Sequence, residues 1–292
     1  MTGPGDSGRA TNTPQARLSS DLAPRAASSV VMIAAALSTL WLGGDVFILF
    51  WLGCALALHW EWQTIIAAPQ VKARFFGGAA FILLSVSLLR EGLIEGALAS
   101  VLVGALAMAW LGGPGKRIWA GGGLIYAASV VISVTVLRVL SRIDGVEAIL
   151  WLFAVVWGTD IMAYFGGRLI GGPKLWPRLS PSKTWAGFLV GVSSGGVLGV
   201  LGLALWPGAE PASYGPLFVL GVMAGVIAQA GDFFESGIKR HFGVKDSSHL
   251  IPGHGGFMDR LDGFIAAAAF AALVGWIKSA GPGFVAIGLL RW

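Results

Sequence analysis

The chain has 292 residues, of which 55% are hydrophobic and only 12% are charged. A soluble domain carries about 25% charged residues, so the composition excludes an ordinary soluble protein and predicts an integral membrane protein. The formal net charge is +5. No nucleic-acid recognition motif accompanies this charge, so we expect no nucleic-acid partner and assign the basic residues to topology and anionic lipid. Cys54 is the single cysteine, which excludes an intramolecular disulfide and predicts a small buried side chain.

Apolar segments of membrane-spanning length follow one another along the chain. Residues 1–26 are rich in Gly, Pro, Ser, Thr and Arg, and we expect a disordered tail rather than a cleaved signal peptide. Nine candidate spans then predict an all-α, polytopic fold: 27–43, 45–62, 75–89, 95–112, 118–140, 146–166, 185–206, 215–234 and 262–279. Residues 281–290 are apolar but too short to span. We divide the chain into the tail, an N-terminal transmembrane region (27–144) and a C-terminal region with the chemistry (145–292).

The distribution of Lys and Arg predicts the orientation. With the N-terminal tail inside and the spans alternating, fifteen of these residues fall on the inside and five on the outside. The positive-inside rule favours this arrangement. We therefore expect the polar stretches of the C-terminal region to lie at the cytoplasmic ends of the helices.

Polar residues are sparse in the N-terminal region. Asp45, in the turn "GGD", is expected at a helix N-terminus, where the helix dipole favours a negative charge. Glu61, in "HWEW", lies near the inner end of the second span. An acid at this depth is either interfacial or functional, and the sequence leaves both open.

Two polar stretches open the C-terminal region. In "GTDIMAYFGGRLIGG" (158–172), Asp160, Tyr164 and Arg168 are spaced by four and form one helical stripe. An acid inside a span favours a functional role, although an Asp160–Arg168 structural pair is the alternative. In "LSPSKTWAG" (179–187), Ser180 suits a helix N-cap and Pro181 a first turn. With the hydroxyls and lysine of the same stretch, this helix start is either a phosphate site or ordinary capping; the candidates are Ser182 and Lys183.

Two further stretches carry carboxylates and cations. In "QAGDFFESGIKR" (229–240), Asp232 ends an apolar run, which a metal-ligating role explains better than a surface ion pair. In "KDSSHLIPGHGGFMDRLDG" (245–263), Asp259 and Asp262 are three apart, so both carboxylates can face one site. Carboxylates with cations and phosphate favour Mg²⁺ over zinc, which the two histidines leave open. Candidate phosphate ligands in this stretch are Lys245, His254 and Arg260, and Gly255 allows close backbone approach.

Together these residue types predict phosphoryl or nucleotidyl transfer at an inside-facing site. No serine or cysteine nucleophile with a base is evident, and the P-loop pattern GxxxxGK[ST] is absent from the sequence. A lipid kinase and an inside-facing transporter use similar charges. The transporter is disfavoured because the polar features occupy only the second half of the chain.

Residues 236–263 resemble the signature of the phosphatidate cytidylyltransferases (CDP-diacylglycerol synthases). The signature positions in this chain are Ser236, Lys239, Arg240, Lys245, Asp246, Pro252, Gly253, His254, Gly255, Gly256, Asp259, Arg260 and Asp262. "DIMAYFGGRLIGG", "SPSKTWAG" and "GDFFES" are similar to upstream blocks of that family. One departure stands out, because the family block usually carries Glu where this chain has Ala186.

The resemblance implies a many-spanning enzyme of the inner (plasma) membrane that joins CTP and phosphatidate to give CDP-diacylglycerol and pyrophosphate with Mg²⁺. A second cation, a homodimer and a CTP-dependent polyprenol kinase or ether-lipid cytidylyltransferase are left open. On this reading the metal ligands are Asp232 and Asp259, supported by Asp262 and Asp160. The residues expected to take part in catalysis are Asp232, Asp259, Lys239 and Arg260. The expected substrate-binding residues are Ser182, Lys183, Arg168, Arg240, Lys245, His254 and Gly255.

Overall fold

A computed structural model describes residues 14–141, 144–207, 213–251 and 255–292. Within these ranges the fold is helical apart from one two-stranded hairpin. Its elements are α1 (Pro14–Leu42), α2 (Gly44–Ile65), α3 (Val71–Arg90), α4 (Ile94–Gly112), α5 (Arg117–Thr135), α6 (Gly145–Leu169), β1 (Lys174–Trp176), β2 (Ser180–Thr184), α7 (Trp185–Ala204), α8 (Tyr214–His241), α9 (Met258–Lys278) and α10 (Val285–Leu290). A π-helical turn, Val136–Leu140, continues α5.

The predicted all-α, polytopic class is confirmed. In the described part of the chain, eight helices are long and apolar enough to cross a membrane, and Ala27–Leu42 of α1 is a shorter apolar segment. Each of the nine predicted spans overlaps one of these helices. The apolar segment 281–290 forms only the short helix α10, as its length predicts.

Helix α1 begins inside the segment expected to be a disordered tail. It starts at Pro14, so residues 14–26 are helical, while residues 1–13 lie outside the described ranges. Proline suits the first helical position. The residues that follow include Gln, Ala, Arg and Leu, which favour helix more than the overall composition of the tail suggests.

Helices α8 and α9 extend beyond their predicted spans at the ends that meet. Helix α8 continues past residue 234 to His241, and α9 begins at Met258 rather than at residue 262. With 28 residues, α8 is about 42 Å long at 1.5 Å per residue, which exceeds a bilayer core of about 30 Å. The polar residues after the apolar run therefore stay helical and have a fixed position relative to α9.

A glycine stripe brings α7 into close contact with α6. A Cβ atom at Gly191 would lie 2.7 Å from Thr159 O, and one at Gly187 would lie 2.7 Å from Ala163 O. Small residues at helix interfaces allow this approach between membrane helices. The stripe fixes the end of α6 against the start of α7; its members are Gly187, Gly191, Gly195 and Gly199.

Gly191→Leu is expected to destabilise the protein, because the new side chain would force the two helix backbones apart. Overpacking of this kind costs about 1–3 kcal/mol. Thermal unfolding in detergent measures the change. Gly53→Leu is the matched control, since a Cβ at Gly53 has no heavy atom within 4 Å among the described residues. Equal melting temperatures for the two variants would contradict the close α6–α7 packing.

Candidate active site

The polar residues of the C-terminal region converge where five helix ends meet. Gln229 Nε2 on α8 donates to Asp160 Oδ1 on α6 over 3.1 Å, and Lys239 Nζ on α8 lies 2.6 Å from Asp259 Oδ1 on α9. Helix α2 joins this side of the molecule through bonds from the start of α9 to Glu61. Alternating helix directions thus place the C-terminal ends of α2, α6 and α8 beside the N-terminal ends of α7 and α9.

The start of α7 corrects one prediction. Residues Ser180–Thr184 form strand β2, which pairs antiparallel with β1, and the helix begins only at Trp185. The N-cap is Thr184, whose hydroxyl accepts a hydrogen bond from Gly187 N over 3.1 Å. Ser180 is therefore not the cap and Pro181 is not in the first turn. The Thr184 hydroxyl, not that of Ser180, bonds a free N–H group in the first turn of α7. Lys183, the residue before this cap, therefore lies at the start of the helix.

A cavity of about 550 Å³ lies between the hairpin, α6 and α8, and we call it the basic cavity because Arg168 and Lys183 line it, together with the acids Asp160 and Asp232. Lys183 Nζ donates to Gln229 Oε1 over 2.7 Å and forms an ion pair with Asp232. Arg168 donates to the Tyr164 hydroxyl over 2.7 Å. The predicted stripe on α6 is present, but Asp160 bonds Gln229 rather than Arg168. Among the predicted substrate-binding residues, this cavity is lined by Arg168, Ser182 and Lys183.

An acidic cavity of about 330 Å³ lies next to the basic one. Two of its carboxylates, Asp160 and Asp232, line both cavities, so the two spaces adjoin. Six acidic side chains and only two basic ones face the acidic cavity: Asp160, Asp232, Glu235, Asp246, Asp259 and Asp262, against Lys239 and Arg260. Such an excess of negative charge favours bound cations.

Lys239 bridges two buried acids. Its Nζ lies 2.8 Å from Glu235 Oε1 and 2.6 Å from Asp259 Oδ1, and the Glu235 and Asp259 side chains are only 1% and 6% exposed. Asp259 Oδ2 accepts from Ser247 N, Ser247 Oγ and Gly256 N at 2.8–2.9 Å. Both Asp259 oxygens are therefore engaged by the protein. Asp259 as a metal ligand stays a prediction, and the geometry gives it a structural role as well.

The donor set of the acidic cavity suits Mg²⁺ shared with phosphate. Among the described residues, no three His, Cys, Asp or Glu side chains converge closely enough to enclose a metal ion. Magnesium needs no such cage, since it uses one or two carboxylates and completes its shell with water and substrate phosphates. Asp160, Asp232 and Asp262 all face the cavity, and they supply oxygen ligands of the preferred type.

Arg240, Lys245 and Gly255 are not among the described residues that line the two cavities. Arg240 on α8 and Lys245 after it are exposed. His254 lies outside the described residues. Gly255 has a φ of +83°, and a Cβ there would lie 2.6 Å from Asp259 Oδ2. The predicted close approach at this glycine is thus made by the chain's own carboxylate.

Two residues of the site, Gln229 and Ser247, were not predicted to take part, and the sequence left a third, Glu61, open. Glu61 is 1% exposed and accepts hydrogen bonds from both ends of the 247–258 loop. Gln229 connects Lys183 to Asp160, and Ser247 connects Glu61 to Asp259. A buried amide in an apolar run is a signal for Gln229; the sequence carries no comparable signal for Ser247.

The remaining predictions concern residues away from the cavities. Asp45 lies in the first turn of α2, as expected, and pairs with exposed Arg90 at 2.9 Å. Cys54 is buried in the apolar core, as its surroundings predict. Ala186 lies half-buried in the first turn of α7 and is not part of the described lining of either cavity.

An apolar groove of about 360 Å³ reaches the acidic cavity from the side of α1. Its walls are mostly aliphatic and aromatic side chains of α1, α2, α6 and α9, such as Ile33 and Trp157. At one end it is lined by Asp160, Arg260 and Asp262, which also line the acidic cavity. The groove therefore joins an apolar space between membrane helices to the charged site.

Comparison with known proteins decides the family. The model of the "Cytidylyltransferase family" matches residues 23–277, which include every candidate site residue. The chain belongs to the cytidylyltransferase family. A Brucella abortus protein named phosphatidate cytidylyltransferase is 41% identical over 265 residues, covering 88% of this chain and 94% of the relative. A Staphylococcus haemolyticus protein of the same name is 42% identical over 132 residues, covering 43% of this chain and 47% of the relative.

This cytidylyltransferase is thus a nucleotidyltransferase built into a multi-pass membrane fold. The predicted family is confirmed, including for the N-terminal helices, which carry few candidate residues of their own. The family match covers both halves of the chain. The two halves meet beside the site, because Glu61 of α2 accepts hydrogen bonds from the start of α9.

Proposed function

We propose that this cytidylyltransferase transfers the cytidylyl group of CTP to phosphatidate, giving CDP-diacylglycerol and pyrophosphate. The observation that carries the proposal is the junction of three spaces: the basic cavity, the acidic cavity and the apolar groove share Asp160. The basic cavity suits a nucleotide, the acidic cavity suits cations and the apolar groove suits a lipid, and the three spaces meet at Asp160.

The basic cavity suits the polyphosphate of CTP. Arg168 and Lys183 supply positive charge, and Ser182 is an exposed residue of the same lining. Arginine binds phosphate oxygens through its planar fork, and lysine acts as a point charge. Lys183 also pairs with Asp232, which holds the lysine at the boundary between the two cavities. These residues would orient the triphosphate toward the acidic cavity.

One or two of the carboxylates of Asp160, Asp232 and Asp262 would hold Mg²⁺ in the acidic cavity, with substrate phosphates and water completing its shell. A bound Mg²⁺ ion would neutralise phosphate charge and increase the electrophilicity of the α-phosphorus. The six carboxylates around this cavity would otherwise repel both substrates. We therefore expect activity to require the divalent cation and to disappear on its removal with a chelator.

The apolar groove suits the acyl chains of phosphatidate. Its walls are mostly apolar, and Arg260 is among the polar residues that line it, where a guanidinium can bind the lipid phosphate. A phosphatidate oxygen attacks the α-phosphorus of CTP, the bond from that phosphorus to the bridging oxygen breaks, and pyrophosphate leaves. The attacking oxygen is already anionic near neutral pH, so no general base is needed. The chain's residues position the reactants and balance charge.

The orientation and location of the site are part of this proposal. The excess of Lys and Arg on one side of the predicted spans supports a site facing the cytoplasm, where CTP is available. In a bacterial cell this corresponds to the inner (plasma) membrane. Accessibility of single engineered cysteines beside the site in intact cells and in inverted vesicles would measure the orientation.

Labelled CTP tests the reaction directly. With purified protein, phosphatidate and Mg²⁺ in detergent, label from the α-phosphate is expected to enter the lipid, and label from the γ-phosphate is expected to leave as pyrophosphate. Incorporation of the γ label would indicate a lipid kinase instead. If neither label enters the lipid, the proposal is contradicted. An ether-linked phosphatidate analogue is included to detect a different lipid preference.

A further inference from the structure

Glu61 is a buried carboxylate whose charge the apolar core does not explain. It belongs to α2, in the N-terminal region, and is 1% exposed. Burying a carboxylate is costly unless hydrogen bonds replace its water. Here Oε1 accepts from Ser248 Oγ at 2.6 Å and Phe257 N at 2.9 Å, and Oε2 accepts from Met258 N at 2.7 Å. Oε2 also lies 3.2 Å from Ser247 Oγ, whose single proton it shares with Asp259 Oδ2.

These donors come from both ends of the loop that connects α8 to α9. Ser247 and Ser248 lie near its beginning, and Phe257 and Met258 are at the start of α9. The first backbone N–H groups of a helix have no partner within that helix and favour a negative charge. Glu61 therefore caps α9 from a different helix and closes the loop at the same point. Gly256 is needed for this closure, because a Cβ there would overlap Ser247 Oγ and a Glu61 oxygen.

The connection continues into the active site. The Ser247 hydroxyl lies between two carboxylates, 3.2 Å from Glu61 Oε2 and 2.8 Å from Asp259 Oδ2. Asp259 in turn holds Lys239 at 2.6 Å, and both residues line the acidic cavity. Glu61 is not part of the described lining of either cavity. Its effect on the site must pass through Ser247 and the start of α9.

We propose that Glu61 is a positioning residue for cytidylyl transfer, acting through Ser247 on Asp259 and Lys239. This inference rests on the proposed function for its kinetic test, but not for its structural test. In this proposal a residue of the N-terminal region helps to position the residues of the active site. The proposal also gives the buried acid of α2 a role, because its oxygens satisfy donors of the loop and of the start of α9.

The first experiment compares Glu61→Gln with the wild-type protein. Glutamine has nearly the same shape but only one acceptor oxygen, so its amide group would face a backbone or hydroxyl donor. We expect kcat to fall about 10- to 100-fold, the range for groups that orient the ligands of a site. The melting temperature should also fall, because a buried donor is left unpaired, but the variant should remain folded at the assay temperature. Hydrogen exchange should quicken at residues 245–258 and stay unchanged in α3 and α4. Glu147→Gln is the matched control. Glu147 accepts one hydrogen bond, from Trp206 Nε1 at 3.0 Å, and it lies in the first turn of α6, at the end of that helix away from the site.

A pair of serine variants tests the route. Ser247→Ala removes the hydroxyl that lies between Glu61 and Asp259, whereas Ser248→Ala removes a donor that reaches only Glu61 among the acids of the site. The first is expected to reproduce most of the kcat loss and the second much less of it. Equal losses would overturn the route, and so would wild-type kcat and exchange in Glu61→Gln. If the wild-type protein fails to label phosphatidate, the proposed function fails, while local exchange in Glu61→Gln still decides whether Glu61 holds the loop.

Discussion

Asp232→Asn is expected to lower kcat for cytidylyl transfer about 10²- to 10³-fold, the usual cost of losing one preorganised charged group. Asp232 lines both the basic and the acidic cavity and pairs with Lys183. Asparagine keeps the shape but removes the charge that would hold Mg²⁺ and fix the lysine. Transfer of α-labelled CTP into lipid, measured at saturating substrates over a range of Mg²⁺ concentrations, gives the change. A higher Mg²⁺ requirement should accompany the lower rate.

Asp45→Asn serves as the control for this variant. Asp45 pairs with Arg90 at the N-terminal end of α2, whereas the site lies at the C-terminal end of that helix. The substitution is chemically identical, and we expect wild-type kcat. An Asp232→Asn enzyme with more than about a tenth of wild-type kcat would remove this carboxylate from the catalytic machinery.

Lys239→Met is expected to cost about 3–5 kcal/mol of folding free energy, the range for removing one partner of a buried ion pair. Lys239 is 13% exposed and is the cation between Glu235 and Asp259, both nearly buried. Methionine fills the same volume but leaves both carboxylates without this cation. Thermal unfolding in a fixed detergent measures the loss, and Lys72→Met, at an exposed position of α3, controls for the substitution itself.

The double variant Lys239→Met with Glu235→Gln separates charge from packing. Removing the Glu235 charge should restore part of the lost stability, because one of the two unpaired buried acids becomes neutral. Activity should stay low, since Lys239 lines the acidic cavity. If the double variant is as unstable as the single one, the buried charge pair is not what stabilises this end of α8.

The sequence predicted the membrane helices well because apolar length is a local property. The nine predicted spans all overlap helices, and α6 matches its predicted ends within three residues. The errors occur where polar residues continue a helix, as in α8, or where a strand precedes one, as at Ser180. Hydropathy carries no information about helix ends that project beyond the bilayer core.

The candidate site was only partly predictable, for a related reason. Asp160, Lys183 and Asp232 were identified as candidates because they are charged and lie inside or beside apolar runs. Placing a charge in a membrane is costly, so such residues are expected to be functional. Helical spacing grouped residues within one helix but not between helices. From the sequence, Arg240 and Lys245 were therefore as good candidates for the site as Lys183. The structure places them outside the described lining of both cavities.

By itself the sequence determined the membrane-spanning helical class and the resemblance to a cytidylyltransferase family, and its basic residues predict an orientation. These follow from local composition and from motifs contiguous in the chain. Only the tertiary structure decided that Glu61 of α2 caps α9, that Asp259 is engaged by Lys239 and Ser247, and that an apolar groove opens onto Asp160. The physical reason is that a hydrogen bond depends on which groups meet in space, and residues 61 and 258 meet only after the helices between them have packed.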